Sequence, residues 1–193
     1  MTTRSFLLST WGHPSGVAGR LAGWEMTFGK SATTELVAEL LELRTDDSVL
    51  EVGFGPGVTL RDLAERVPQG LIAGVDPSEV MVRQAERRIR AARGREHVEL
   101  HRARAESLPF ADQRFTKAFT LNSIGFWASV DDGLAELHRV LAPDALLLIG
   151  LRRPDQAAEL ARRLEPLGFD RHSIAERRAG RKAVTTIVAR RGG

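Results

Sequence analysis

Leu36, Val37, Leu40 and Leu41 recur at helical spacing behind the capping candidates Ser31 and Thr33, and Thr45-Asp46-Asp47 ends the pattern. The spacing predicts a helix over 32–43. Val49-Leu50-Glu51-Val52 is then a short apolar run closed by glycines, after which Leu60, Leu63, Ala64 and Val67 resume the helical period. Leu71-Ile72-Ala73-Gly74-Val75 reads as a second strand. Asp76-Pro77-Ser78 closes it, and Pro77 is expected at the first position of an Arg-rich helix reaching about Arg93. The alternation continues with strands at 97–102 and 115–121, a helix at 131–141 and the apolar run 145–151. A helix over 154–167 follows, and then strands at 169–176 and 183–190. The basic turn Arg177-Arg178-Ala179-Gly180-Arg181 is too short for a crossover and predicts an antiparallel hairpin.

Near-continuous apolar strands alternating with helices belong to a parallel sheet covered on both faces. The expected architecture is a single Rossmann-like, doubly wound sheet of seven strands, mostly parallel, with a C-terminal antiparallel hairpin. Residues 1–31 stand outside the alternation and are expected to form a helical or cap segment, with 32–193 as the main domain.

Composition narrows the chemistry. The 193 residues are 42% hydrophobic, enough for one sizeable core. With no Cys, disulfides, thiolate metal sites and a cysteine nucleophile are excluded. No apolar run has the length of a signal-peptide core or a membrane span, so the chain is expected to be complete and cytoplasmic. Lys and Arg number 28 against 25 Asp and Glu, a net +3 that says little about partners. The run Arg87, Arg88, Arg90, Arg93 and Arg95 is read first as a solvated helix face.

Gly53, Gly55 and Gly57 lie between a strand and a helix, where open α/β sheets bind ligands and where a missing Cβ lets a bulky ligand approach the backbone. At the end of the next strand Asp76 can accept hydrogen bonds from a ribose diol. Together they indicate an adenosine-containing cofactor. A dinucleotide fingerprint has the spacing G-x-G-x-x-G and aims a helix N-terminus at a pyrophosphate. Here the spacing is G-x-G-x-G with Pro56 inside it, and Glu51 stands two residues ahead. A carboxylate there repels a pyrophosphate and attracts an ammonium, which favours S-adenosylmethionine over NAD.

The segment Val49-Leu50-Glu51-Val52-Gly53-Phe54-Gly55-Pro56-Gly57 resembles the first motif of class I S-adenosylmethionine-dependent methyltransferases, and Gly74-Val75-Asp76-Pro77-Ser78-Glu79-Val80-Met81 resembles their second. Ala105-Glu106-Ser107-Leu108-Pro109-Phe110 and Leu137-His138-Arg139-Val140-Leu141-Ala142-Pro143 extend the likeness, which covers about residues 36–151 and is nearest to the ubiquinone and menaquinone C-methyltransferase branch. The resemblance implies that Gly53 and Gly55 pack on the methionine and ribose parts, that Asp76 takes the ribose hydroxyls, and that Met81 or Val80 covers the adenine. It implies an adenine contact from the Ala105 N–H, and a place beside the transferring methyl for Asn122. Phe54, Gly57 and Pro77 fall inside the same cofactor motifs. Arg104 replaces a common Asp, leaving Glu106 as the candidate for the adenine amino group. Thr116 and Lys117 stand where an Asp is common, and Asp144-Ala145 replaces a common Gly-Gly.

Phe126 and Trp127, after the fourth strand, are candidates for a substrate pocket, as are Trp11 and Trp24. His13 and Glu25 are the candidates for a general base, although a loop histidine is more often a bystander. No histidine spacing suggests a metal site. The expected reaction is methyl transfer to a small-molecule acceptor. The alternatives are an NAD-dependent oxidoreductase, an RNA methyltransferase, and a cofactor-binding module without turnover. After the fourth strand stands Leu121-Asn122-Ser123-Ile124 in place of Asn-Pro-Pro-Tyr, and the chain has no Tyr, which disfavours the branch acting on adenine bases or glutamine.

Overall fold

The computed structural model describes residues 30–193. Trp11, His13, Trp24, Glu25 and the remainder of the predicted cap segment lie outside the described residues. Along the chain run α1 (Lys30–Leu40), β1 (Ser48–Val52), α2 (Val58–Ala64), β2 (Leu71–Val75), α3 (Glu79–Arg90) and β3 (Val98–His101). Then come β4 (Phe115–Leu121), α4 (Val130–Val140), β5 (Leu141–Leu151), α5 (Ala157–Leu164), β6 (Phe169–Ala179) and β7 (Lys182–Arg191). The seven strands form one sheet in the order β3-β2-β1-β4-β5-β7-β6. The first five pair parallel, and β7 pairs antiparallel with both β5 and β6.

Alternation along the strands divides the core into two layers. Val49, Ile72, Phe119 and Leu148 face α1, α2 and α3 through Val37, Leu41, Leu60, Leu63, Ala85 and Ile89. Leu50, Val52, Ala118 and Ile149 face α4 and α5 through Leu134, Leu137, Val140, Leu160 and Leu164. Each Val, Leu, Ile or Phe side chain buried in this way contributes roughly 1.5–3 kcal/mol.

Several local expectations shift. Helix α1 already includes Lys30, ahead of both Ser31 and Thr33, so neither is its cap. Pro77 does not open α3: Ser78 is the N-cap, its hydroxyl accepting from the Met81 N–H at 3.4 Å. A serine oxygen satisfies an exposed helix-end donor that a proline cannot. The predicted helix over 154–167 is α helix only at Ala157–Leu164, with 3₁₀ turns at Pro154–Gln156 and Glu165–Leu167, each opened by a proline or carrying one early. The expected five-residue basic turn contracts to Gly180–Arg181, because Arg177-Arg178-Ala179 pair with Val184, Ala183 and Lys182. Gly180 takes φ 64, as the first residue of a two-residue hairpin turn often does.

The motif around Arg139 proves to be structural. Its guanidinium donates to Glu136 at 2.7 Å, to the Leu108 and Phe110 carbonyls at 3.1 and 2.8 Å, and to Asp112 at 2.7 Å. Its hydrogen bonds to the Glu136 and Asp112 carboxylates hold the guanidinium pKa above its ordinary value. This fork ties α4 to the segment between β3 and β4, which carries Ala105. A lysine has no fork to span four acceptors. Arg139→Lys is therefore expected to lower stability by about 1–2 kcal/mol, seen as an earlier thermal melt, with little effect if the bonds were merely peripheral.

The departures noted at 116–117 and 144–145 lie away from the carboxyl ends of the strands. Thr116 donates to Asp47 at 2.6 Å at the amino end of β1. Asp144 takes φ 62, a left-handed conformation that a glycine adopts freely and an Asp tolerates. His138 is a packing residue, edge-on to Phe169 at 5.3 Å and accepting from the Arg191 Nε at 3.3 Å, with burial lowering its pKa.

Candidate functional site

The strand order reverses between β1 and β4, so the connections leaving their carboxyl ends diverge and open a crevice. The turn after β1 fills one wall of it. Gly53 (φ 79), Gly55 (φ 55) and Gly57 (φ 72) are all left-handed, which accounts for three glycines in five residues. Gly53 donates to the Val75 carbonyl at 2.8 Å, and a Cβ on it would lie 2.4 Å from the Ser123 Cβ. A Cβ on Gly57 would lie 2.5 Å from that of Ala85, so this glycine sets the close approach of α2 to α3.

Asp76 anchors the turn from β2. Its Oδ2 accepts the Gly55 N–H at 2.8 Å and its Oδ1 the Ser78 N–H at 2.9 Å. The second wall of the turn involves a contact absent from the sequence reading: Arg88, expected on a solvated face, donates to the Pro56 carbonyl and has its pKa lowered chiefly by burial.

Glu51 is the most unusual group. It sits in β1 opposite Gly74 on β2 and Phe119 on β4, only 4% exposed. Its Oε2 is buried without a hydrogen-bond partner among the described residues. Burial first, and then the Asp76 charge, raise its pKa well above the ordinary carboxylate range. An isolated buried carboxylate is costly, and a cation brought beside it relieves that cost. An unpartnered carboxylate oxygen next to a glycine cradle and a ribose-type acceptor fits a ligand with an ammonium at one end and an adenosine at the other.

The other predicted positions divide. Ala105 is buried after β3, while Arg104 is exposed and joined to Ser107 by a single bridge. Glu106 Oε1 accepts the Ala128 and Ser129 N–H groups at 2.5 and 3.1 Å, so part of its capacity ties the β3 and β4 connections together. Asn122 ends β4 at φ 56 and its N–H donates to the Gly150 carbonyl at 2.8 Å. A left-handed non-glycine residue at a strand end, beside a crevice, is a feature of functional sites.

Two of these side chains pack against glycines. Phe54 is buried against Gly74, where a Cβ would meet its ring at 2.6 Å, so only its main chain belongs to the turn. Met81 is buried in the first turn of α3. Trp127 packs on Gly133 and donates to the Ser123 Oγ at 3.2 Å, making it a wall fixed from behind, whereas Phe126 is 43% exposed and free to meet a ligand. Ser123 was missed by the sequence reading. Its hydroxyl bonds Thr120 and donates to the Val52 carbonyl at 3.0 Å, clamping the ends of β1 and β4. Its only sequence signal was its place directly after Asn122. Among the described residues no cluster of His, Asp and Glu could hold a metal, and no helix is long and apolar enough to cross a membrane.

A family model described as a methyltransferase domain matches residues 49–144, the stretch that holds the glycine turn, Asp76, Ala105 and Asn122. The uncharacterized methyltransferase YdaC of Bacillus subtilis is 27% identical over 161 residues, covering 82% of this chain and 84% of the relative. A demethylmenaquinone methyltransferase of Symbiobacterium thermophilum is 35% identical over 113 residues, 56% of this chain and 43% of the relative, so the chain spans less than half of that enzyme's length. The crystal structure of a SAM-dependent methyltransferase from Aquifex aeolicus shares the fold at a TM-score of 0.71, with 24% identity over 81% of this chain and 88% of that one.

Proposed function

Given that the chain belongs to the class I S-adenosylmethionine-dependent methyltransferases, we propose that it methylates a small-molecule acceptor at the crevice between the ends of β1 and β4. The observation that carries this reading is the buried Glu51 carboxylate beside the Gly53–Gly57 turn, whose Oε2 has no partner among the described residues. Glu51 would take the ammonium of the methionine moiety, Asp76 the ribose hydroxyls, and Met81 and the Ala105 main chain the adenine. When bound, S-adenosylmethionine supplies a sulfonium-activated methyl group.

The protein's own contribution is then placement. The acceptor must sit in line with the methyl, close and dry, which needs alignment more than a dedicated acid or base. Asn122, held by its bond to Gly150 and by the Ser123 clamp beside it, borders that position. Phe126 offers an apolar surface to the acceptor. The small-molecule assignment draws on the demethylmenaquinone methyltransferase likeness and on the near-balanced charge of the chain, a net +3.

Thermal melting tests the cofactor reading directly. S-adenosylhomocysteine at a hundredfold excess over its dissociation constant adds about 2.7 kcal/mol to stability, a rise of several degrees for a chain of this size. NAD is expected to leave the melt unchanged. An equal rise with NAD would overturn the assignment.

A further inference from the structure

The rim of the crevice divides by charge. On the cofactor half, Glu51, Asp76 and Glu106 stand at or just beyond β1, β2 and β3; Arg102 is paired with Glu79, and exposed Arg104 marks the outer end. On the other half the exposed charged residues at the strand ends are Arg152 and the Arg153–Asp155 pair after β5, and Glu176, Arg177 and Arg178 on β6, so arginines outnumber carboxylates there. Leu121 pairs with Gly150, so Leu151 is level with Asn122 and Arg152 lies one residue beyond. Leu151 pairs with Thr185, Thr185 with Glu176, and Arg177 with Val184, which puts Arg177 at the height of Arg152. Arg178 and the turn residue Arg181 stand higher on the same hairpin, which overhangs the end of β5.

Arg152, Arg177, Arg178 and Arg181 make no hydrogen bond or ion pair with any described residue. Arg61, Arg66, Arg114, Arg139 and Arg163 are each held by a carboxylate, whereas these four, like Arg87 and Arg90 on α3, are not; the four differ from that pair in standing at the crevice rim. With strands about 4.8 Å apart, Arg152 starts one strand from the methyl-transfer position at the end of β4, and Arg177 three strands away, about 14 Å. That span is the length of a small organic molecule. Arginine's planar fork matches carboxylate and phosphate oxygens.

Resting on the proposed methyl transfer at this crevice, we propose that the acceptor is a small anionic molecule, bearing a carboxylate or a phosphate, and that Arg152 and Arg177 bind its anionic group. The carboxylates of the cofactor half suit a cationic cofactor, and the arginines of the other half suit an acceptor of opposite charge. Facing charges of this kind orient the acceptor and reject neutral analogues that share its shape.

The test uses full-length protein saturated with S-adenosylhomocysteine and follows arginine Nε–H resonances by NMR. Benzoate and phenyl phosphate are the anionic probes, and benzamide is the neutral control. Two or more arginine signals are expected to shift saturably with one or both anions and not with benzamide; which anion binds more tightly separates carboxylate from phosphate acceptors. The exposed positions tolerate R152Q and R177Q, and the double variant is expected to bind the anion roughly tenfold or more weakly while its affinity for S-adenosylhomocysteine is unchanged. No saturable shift, or the same affinity in the double variant, overturns the proposal. So does tighter binding of an RNA oligonucleotide with a slope of several charges against salt, which would make the rim a polyanion surface. Failure of S-adenosylhomocysteine to bind the wild-type protein would instead strike the underlying methyltransferase reading, and calorimetry reports that separately.

Discussion

Glu51→Gln is expected to make the protein without cofactor more stable at pH 8 and a poorer binder of S-adenosylmethionine. The folded protein raises the Glu51 pKa through burial and the Asp76 charge. The folded state therefore holds its proton to higher pH than the unfolded chain does. Stability is full below the ordinary glutamate value, declines as pH rises from there to the folded value, and stays at its reduced level above it. Glutamine has no such proton, so the variant keeps its stability through the window. The difference at pH 8 should be about 1–2 kcal/mol, reduced from the full cost of a buried charge because the amide is also short of partners. For a chain of this size that corresponds to a melting point higher by about 2–8 °C at pH 8, with little difference at pH 4.

Cofactor affinity should move the opposite way. The methionine ammonium loses its carboxylate, and S-adenosylhomocysteine should bind roughly 30-fold more weakly, about 2 kcal/mol. Binding to the wild type should also release a proton wherever Glu51 begins protonated. Calorimetry in two buffers of different ionisation enthalpy reads that proton, and Glu51→Gln should abolish it. A variant with unchanged affinity and unchanged proton release would mean that Glu51 does not meet the ammonium.

The βα alternation was legible because a doubly wound sheet writes itself into the chain: strands buried on both faces need continuous apolar runs, as in Leu71–Val75, and each covering helix shows one stripe, as in Leu60 and Leu63. The glycine turn was legible for a similar reason, since left-handed backbone at Gly53, Gly55 and Gly57 leaves few residues able to stand there. Helix starts were less so. Ser31 and Thr33 have the chemistry of caps, but so has any serine or threonine near a helix, and Pro77 lost its assigned place to Ser78, whose hydroxyl can reach the first turn.

Contacts between distant parts of the chain were not readable at all. Nothing near Trp127 announces that its ring lies on Gly133, nor that Phe54 turns away from the ligand side to cover Gly74. Arg88 belonged to a run of five basic residues, and only the packing of α3 under the turn singles it out to hold the Pro56 carbonyl. The cationic rim required the register of three strand pairs, because Arg152 and Arg177 come level only through β7.

Asp76→Ala carries two expected losses, which must be separated. In the structure Asp76 binds the Gly55 and Ser78 N–H groups, and the proposed function also gives it the ribose hydroxyls. Removing the carboxylate leaves both donors unsatisfied beside a partly buried turn, a loss of roughly 2–4 kcal/mol of stability, read as a lower melting point. Loss of the ribose bonds should weaken cofactor binding by a further 1.5–3 kcal/mol, because these are hydrogen bonds to a charged acceptor. A weaker affinity alone does not distinguish a disordered turn from a missing ligand contact. Comparing 5′-methylthioadenosine with its 2′-deoxy analogue does: the wild type should prefer the ribose by about tenfold, and Asp76→Ala should bind the two alike. Asp76→Asn provides the same comparison should the alanine variant fail to fold, since its one carbonyl oxygen can still accept from the turn. If the preference for the ribose survives both substitutions, Asp76 is a clamp for the glycine turn and the hydroxyls are held by another group.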